Sequence, residues 1–458
     1  MVKNTTEAQG PWWRGLNRYH WFVLIVAALG WLFDCLDQQL FTLARVPAMK
    51  ELLRVDGVAP SPADVARYGG WATSVFLVGW ASGGLLFGVL GDKIGRAKTM
   101  LWTILMYSVC TGLSALSHGF YDFAFYRFIT GLGVGGEFAV GVALVAEVMP
   151  DHARPYAISL LQGLSAVGNI SAALINIGLG QIETGGMSRW RIMFLIGALP
   201  ALLALFIRSR LKEPERWKSV AASGAVVQQL GSYSALFGVR LWRRRALAGL
   251  GLAFAGVVGL WGIAFFTPDL VRSVFTGHFK ALGLTGDQIE KQMLFWTGVT
   301  MIAQNIAGFL GIACFGMMAQ RVGRRPTFAV AFIGAMASTG CVYWFLREFS
   351  QIFWLIPLMG FFVLSLFGGY AVYFPELFPT HLRSTGVSFC YNVGRFVAAI
   401  GPFLFGFLTG SVFKDYPDPI RYAGVTMCSV FLLGLLALPF APETLGQPLP
   451  EAEPDPAR

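Results

Sequence analysis

The sequence predicts an all-α membrane protein, with twelve transmembrane helices forming two pseudo-symmetric six-helix bundles. Three observations predict it. First, 55% of the 458 residues are hydrophobic and only 13% are charged, with a mean hydropathy of +0.60; a soluble domain carries about 25% charged residues. Second, the apolar residues fall into runs long enough to cross a bilayer, which takes about 20 residues per helix. Third, the chain carries an internal repeat. This composition excludes disorder and a disulfide-stapled secreted scaffold.

Twelve runs qualify: 20–44, 68–90, 97–117, 121–149, 155–183, 190–208, 246–271, 293–317, 326–346, 351–375, 385–412 and 420–440. Several contain Gly, which membrane helices tolerate. The polar start with Trp12 and Trp13 lacks the apolar core and cleavage site of a signal peptide, so the first span is expected to be retained. The six cysteines lie in or at the ends of these runs without a C-x-x-C spacing, so neither a metal site nor a redox role is expected.

Twelve spans place both termini on one face. That face carries most of the 35 Lys and Arg residues, from Lys3 and Arg14 through Arg240–Arg245 to Arg458, which predicts that it is cytoplasmic. The expected divisions are a first bundle (1–208), a basic linker (209–243), a second bundle (244–442) and a tail (443–458). The net charge of +10 sits in short clusters between apolar runs. It suits an anionic membrane surface, and no nucleic-acid partner is expected.

The repeat is read from two patterns. Gly88-x-x-x-Asp92-Lys93-x-Gly95-Arg96 recurs as Gly316-x-x-x-Gln320-Arg321-x-Gly323-Arg324. Glu147-x-x-Pro150-x-x-x-Arg154 recurs as Glu376-x-x-Pro379-x-x-x-Arg383. Both recurrences lie roughly 230 residues apart. Six spans per copy give both copies the same orientation, an arrangement found in transporters whose halves rock about a central site. Asp92 is expected to accept from free amides at the next helix start. Arg96, Arg154, Arg321, Arg324 and Arg383 are expected to pair with Glu147 and Glu376 as a cytoplasmic gate.

Charges inside spans are costly and usually mark pathways. Asp34 and Asp37 share one helix face and are poised to take up and release a proton. Asp37 and Arg127 lie at similar depth and can pair. Glu137 is either a second protonatable group or a binding partner. Arg395, in Tyr391-Asn392-x-Gly394-Arg395, offers a fork that matches a carboxylate. Gln38 and Gln39 extend the polar face of the first span. Trp71, Phe138, Trp261, Phe265, Tyr370, Tyr373 and Tyr391 are candidate cavity aromatics, and no histidine stands mid-membrane.

The Gly-x-x-x-Asp-Lys-x-Gly-Arg loop resembles the signature of the major facilitator superfamily, and the resemblance spans all twelve runs. Glu213-Pro214-Glu215-Arg216 and Pro442-Glu443-Thr444-x-Gly446 resemble the closing motifs of sugar porters and organic-ion transporters. Asp34-x-x-Asp37 resembles the first-span motif of aromatic acid:proton symporters, with Cys35 in place of its Gly. The stretch from Arg127 to Glu137 resembles a fourth-span motif whose Arg is linked to proton coupling. Arg395 resembles a substrate-proximal Arg of organic-anion transporters.

The resemblance implies a secondary active transporter, a functional monomer, that moves a small organic anion (an aromatic or other monocarboxylate) with protons. A proton-coupled sugar transporter and an exporter of amphipathic drugs or organic cations are the alternatives. No phosphate-binding Gly-x-x-x-x-Gly-Lys-Ser/Thr loop and no nucleophile–base pair occurs, so neither ATP-driven transport nor an enzyme is expected, and no cofactor. Substrate-binding candidates are Arg395, Gln38, Gln39, Tyr391, Asn392 and Glu137. Proton-coupling candidates are Asp34, Asp37 and Arg127.

Overall fold

A computed structural model describes residues 11–54, 58–180, 186–200, 210–222, 230–264, 267–398 and 401–450. Of the positions named above, Lys3, Phe265 and Arg458 lie outside these. The described chain is almost wholly helical. Helix α1 (Arg18–Leu52) starts where Asn17 accepts from the His20 amide at 2.8 Å. Helix α2 (Pro62–Ile94) starts at a Ser61 cap. α3 (Arg96–Ser114), α4 (Phe120–Val148), α5 (Arg154–Gly163), α6 (Ser165–Gly180) and α7 (Arg189–Gly197) complete the first copy.

Two short helices, α8 (Glu215–Ala222) and α9 (Tyr233–Gly238), lie in the linker. The second copy holds α10 (Arg240–Val258, extended by a π turn to Ile263), α11 (Thr267–Ala281), α12 (Gly286–Arg321) and α13 (Arg324–Phe345). It continues with α14 (Phe349–Leu377), α15 (Arg383–Ala398), α16 (Gly401–Phe407), α17 (Pro419–Met427) and α18 (Val430–Ala437).

Each of the twelve predicted runs coincides with one or two of these helices. Among the described residues nine helical stretches are long and apolar enough to cross a membrane. Of the other three predicted runs, the third is α3, the sixth passes beyond α7 into residues outside the description, and the eleventh is divided between α15 and α16.

Packing follows the glycines. Gly79 and Gly83 of α2 face Gly131 and Gly135 of α4, and a Cβ on any of them would strike the opposing backbone. Such small-x-x-x-small faces let membrane helices approach closely. A second seam joins the copies: Gly84, Gly88 and Gly91 of α2 lie against Asn392, Ser388 and Ser384 of α15. Its counterpart sets Gly316 of α12 against Ser159 of α5.

Candidate functional site

Polar side chains gather in three places. The one farthest from the linker face is the pair expected from depth alone. Arg127 of α4 donates to Asp37 of α1 at 2.7 Å, and Thr111 of α3 donates to the same carboxylate at 2.7 Å. Both partners are fully buried. The guanidinium lies 4.7, 5.0 and 5.2 Å from the ring centres of Phe41, Phe76 and Phe194. The pair is therefore sealed inside the first copy.

One turn deeper, Asp34 meets Glu137. Neither carboxylate has an aligned donor among the described residues, and both are buried. Glu137 turns toward small residues: its carboxylate lies where a Cβ on Gly30 would be, and near Gly141. It thus faces Asp34 and not Arg395.

Arg395 of α15 occupies the third position, at the boundary between the copies. Its Nη1 donates to Asn392 Oδ1 at 2.6 Å, and its Nε has no partner among the described residues. The guanidinium lies 4.1 Å from the ring centre of Trp80 and 4.5 Å from that of Tyr391. Tyr391 packs on Phe138, which packs on Trp31, at 4.8 and 4.4 Å between centres. Trp261 approaches Trp80 edge-on at 6.0 Å. Every other buried arginine among the described residues (Arg96, Arg127, Arg154, Arg324, Arg383 and Arg421) has a carboxylate within ion-pair distance; Arg395 has none.

The remaining candidates are spread more widely. Gln39 Nε2 reaches Met301 Sδ across the copies at 3.8 Å, and Gln38 Nε2 is buried without a partner among the described residues. Tyr370 and Tyr373 spend their hydroxyls on the carbonyls of Leu252 and Pro442. Trp71 is half exposed and packs on Tyr68.

The linker face carries the charge network. Arg96 bonds Asp92 at 2.8 Å, Glu147 at 3.0 Å and the Thr380 carbonyl at 2.6 Å. Arg383 bonds Glu147 at 2.7 Å. Arg324 bonds Glu376 at 2.7 Å. Arg154 takes Asp151 and the Ala146 carbonyl, not Glu376. Arg321 is exposed and makes no ion pair among the described residues.

Asp92 differs from expectation. It does not cap α3. It accepts from the Ser384 and Thr385 amides at the start of α15, at 3.2 and 2.8 Å. The reason is that the α3 amides are already taken: Glu213 of the linker accepts from Ala97 and Lys98. Glu443 does the same for Arg324 and Arg325 at the start of α13. Burial works against the charged form of Glu443, yet these amides and those of Leu445 and Thr444 hold its carboxyl below the usual range. Sequence reasoning quoted both closing motifs but missed that each ends on a helix start.

Long apolar helices packed through small residues, with buried charges at the seam of a duplicated unit, define a multi-pass membrane transporter. The chain matches the sugar (and other) transporter family over residues 38–225 and 228–455. It belongs to that family, within the major facilitator superfamily, and is not an enzyme.

A relative in Haemophilus influenzae, provisionally named a metabolite transport protein, is 33% identical over 95% of this chain and 99% of its own length. The niacin transporter of Acinetobacter baylyi is 29% identical, covering 84% of this chain and 87% of that one. The solved structure of a proton:xylose symporter superposes with a TM-score of 0.74 at 18% identity, covering 94% of this chain and 98% of that one. That likeness speaks to the fold.

Proposed function

We propose that the protein is a secondary active transporter that carries a small organic anion, an aromatic or other monocarboxylate, across the cell membrane by alternating access with proton symport. The observation that carries the reading is Arg395, a buried guanidinium with no carboxylate beside it among the described residues. A buried unpaired charge is expensive, and an arginine cannot shed its proton. A carboxylate-bearing substrate supplies the missing partner. The rings of Trp80, Tyr391 and Phe138 suit a flat, unsaturated acid. A neutral sugar would leave Arg395 uncompensated. Relatives named as carriers of niacin and of cis,cis-muconate, both carboxylates, support this choice.

In this reading Tyr391, Asn392, Gln38 and Gln39 complete the substrate surface. Asp34 and Glu137 share the transported proton, and Asp37 with Arg127 guards its entry. The linker face is cytoplasmic, with both termini on it. Asp92, Arg96, Glu147 and Arg383 hold it shut, with Arg154, Arg324 and Glu376 bracing the gate. Residues 1–208 and 244–442 move as bodies about the linker in a functional monomer. Asn392 joins the two ends of the process: it holds Arg395 and also abuts Gly84 at the top of the α2–α15 seam.

The test is uptake of labelled nicotinate and benzoate into proteoliposomes, with acid outside. We expect accumulation that collapses with the pH gradient. Arg395→Lys keeps the charge but loses the fork, and should weaken binding by about 10- to 100-fold, the value of a charge-assisted hydrogen bond. Unchanged affinity removes Arg395 from the site; accumulation that ignores the pH gradient removes proton symport.

A further inference from the structure

Between the two carboxylate sites of the first copy stands a residue that neither the motifs nor the site described above uses. Tyr107 of α3 is fully buried, and its hydroxyl lies within reach of the Asp34 carboxylate and the Ser108 hydroxyl without a well-aligned hydrogen bond to any described residue. A phenylalanine would fill the same space without stranding a polar atom, so packing alone does not account for the hydroxyl.

Its surroundings are unusual. The groups that act on it electrostatically are Asp34, Glu137 and Asp37, and the buried hydroxyl of Ser108 lies beside the phenol, also without a well-aligned bond to a described residue. The charged and titratable groups in this part of the first copy are Asp34, Cys35 and Asp37 from α1, Cys110 from α3, and Arg127 and Glu137 from α4. Arg395 lies beyond, on the Cys35 side.

Depth orders these groups. Helix α1 runs from the linker face outward, so Asp37 stands one turn nearer the far face than Asp34. Helix α4 runs inward, so Arg127 precedes Glu137 by nearly three turns. Tyr107 lies in the middle of α3, with its backbone against Gly133 of α4. The series from the far face is Arg127 with Asp37, then Tyr107 with Asp34, then Glu137. From Glu137 to Glu147 on the linker face is about 15 Å along the helix, at 1.5 Å per residue.

We propose that the Tyr107 hydroxyl is a proton relay between the Asp37–Arg127 pair and the Asp34–Glu137 pair, so that the proton route runs inside the first six-helix unit and apart from the substrate's Arg395. This rests on the proton-symport reading above. A phenol both donates and accepts. When Asp37, protonated from the far face, gives its proton to the phenol oxygen, the phenol's own proton passes to the Asp34 carboxylate. The tyrosine ends neutral, Asp37 regains its bond to Arg127, and one proton has moved inward. Asp34 then shares it with Glu137.

The experiment compares wild type with Tyr107→Phe in proteoliposomes, using labelled nicotinate and benzoate as probes. The relay predicts that Tyr107→Phe loses at least 10-fold in accumulation driven by a pH gradient. Counterflow of the same probe, which needs no net proton movement, should stay within about two-fold of wild type, and the residual accumulation should lose its steep dependence on external pH. Accumulation at wild-type level overturns the relay. Loss of counterflow together with accumulation also overturns it, because Tyr107 would then be holding the bundle. If wild type itself exchanges the probes but never accumulates them under a pH gradient, the symport reading has failed, and the relay with it.

Discussion

The two copies of the repeated loop share their packing but not their charge bonds. In both, a glycine with positive φ leads into the next helix (Gly95 at 112°, Gly323 at 108°). In both, a glutamate from the segment closing that copy caps the helix start, and a glycine about two turns back (Gly88, Gly316) lets a helix of the other copy approach. The bonds across the seam are one-sided. Asp92, Arg96 and Glu147 of the first copy reach Ser384, Thr385, Thr380 and Arg383 of the second. In the second copy Arg324 and Glu376 pair with each other, and Glu376 takes the Thr444 hydroxyl.

Two substitutions explain the difference. Gln320 stands where Asp92 would be, so the second copy has no carboxylate to offer the start of α5. Asp151 stands where Thr380 would be, and it captures Arg154 locally; Thr380 is neutral and leaves Arg383 free to reach Glu147. Duplication preserved the close fit of helices, and two side chains decided which copy makes the charged bonds across the seam.

The sharpest way to break this comparison is to remove the paired glutamates. Glu147→Gln leaves Arg383 buried with no carboxylate beside it and Arg96 with Asp92 alone, and it removes the one ion pair among the described residues that crosses the seam. Breaking a buried pair in this way costs about 3–5 kcal/mol. It should lower the melting temperature and expose Ser388→Cys to labelling from the linker face. Glu376→Gln strands only Arg324, and should destabilise its own half without opening the seam. Equal labelling in both variants would refute a one-sided lock.

A smaller and symmetric effect is expected at the glycines. Gly88→Ala and Gly316→Ala each push a Cβ into a serine of the other copy, Ser388 or Ser159. Overpacking of this kind costs about 1–3 kcal/mol. Both variants should shift the protein toward the form open at the linker face, by similar amounts, as read by the same cysteine labelling. A strong effect at Gly88 with none at Gly316 would show that packing, too, is one-sided.

Much of this arrangement was legible beforehand. The apolar runs gave the helices, and counting along them put Arg127 opposite Asp37. The repeat located the charged loops. The partners of those loops were not legible, because a free amide at a helix start carries no sign of which carboxylate will fill it. Glu213 reaches α3 only because the linker folds back, and that leaves Asp92 for α15. Tyr107 was missed for a different reason. Aromatics are 14% of this chain, so one more tyrosine in an apolar run gives no signal until three carboxylates are found around it. The direction of Glu137 depended on Gly30, on another helix.

The finest contrast is between two histidines. His152 and His381 occupy matching positions in the repeat, each two residues before the arginine. His152 is exposed and lies 3.3 Å from the Arg14 carbonyl. His381 is buried in the turn Thr380–Leu382, its Nε2 without a partner among the described residues. Burial, then Arg383 and Arg96, push its pKa down from the ordinary 6.5 to about 4. The folded state therefore keeps this imidazole neutral where the unfolded chain would protonate it. Its share of stability is whole above pH 6.5 and is lost as pH falls toward 4. A charged ring there would also repel the two arginines that hold Glu147. Across that window His381→Gln should blunt the acid-induced fall in melting temperature by about 2 °C, while His152→Gln should leave it unchanged. Thermal unfolding of the detergent-solubilised protein between pH 7 and 4 reads both. An identical pH profile for wild type and His381→Gln would mean that the turn opens freely enough for the ring to be protonated without disturbing the lock.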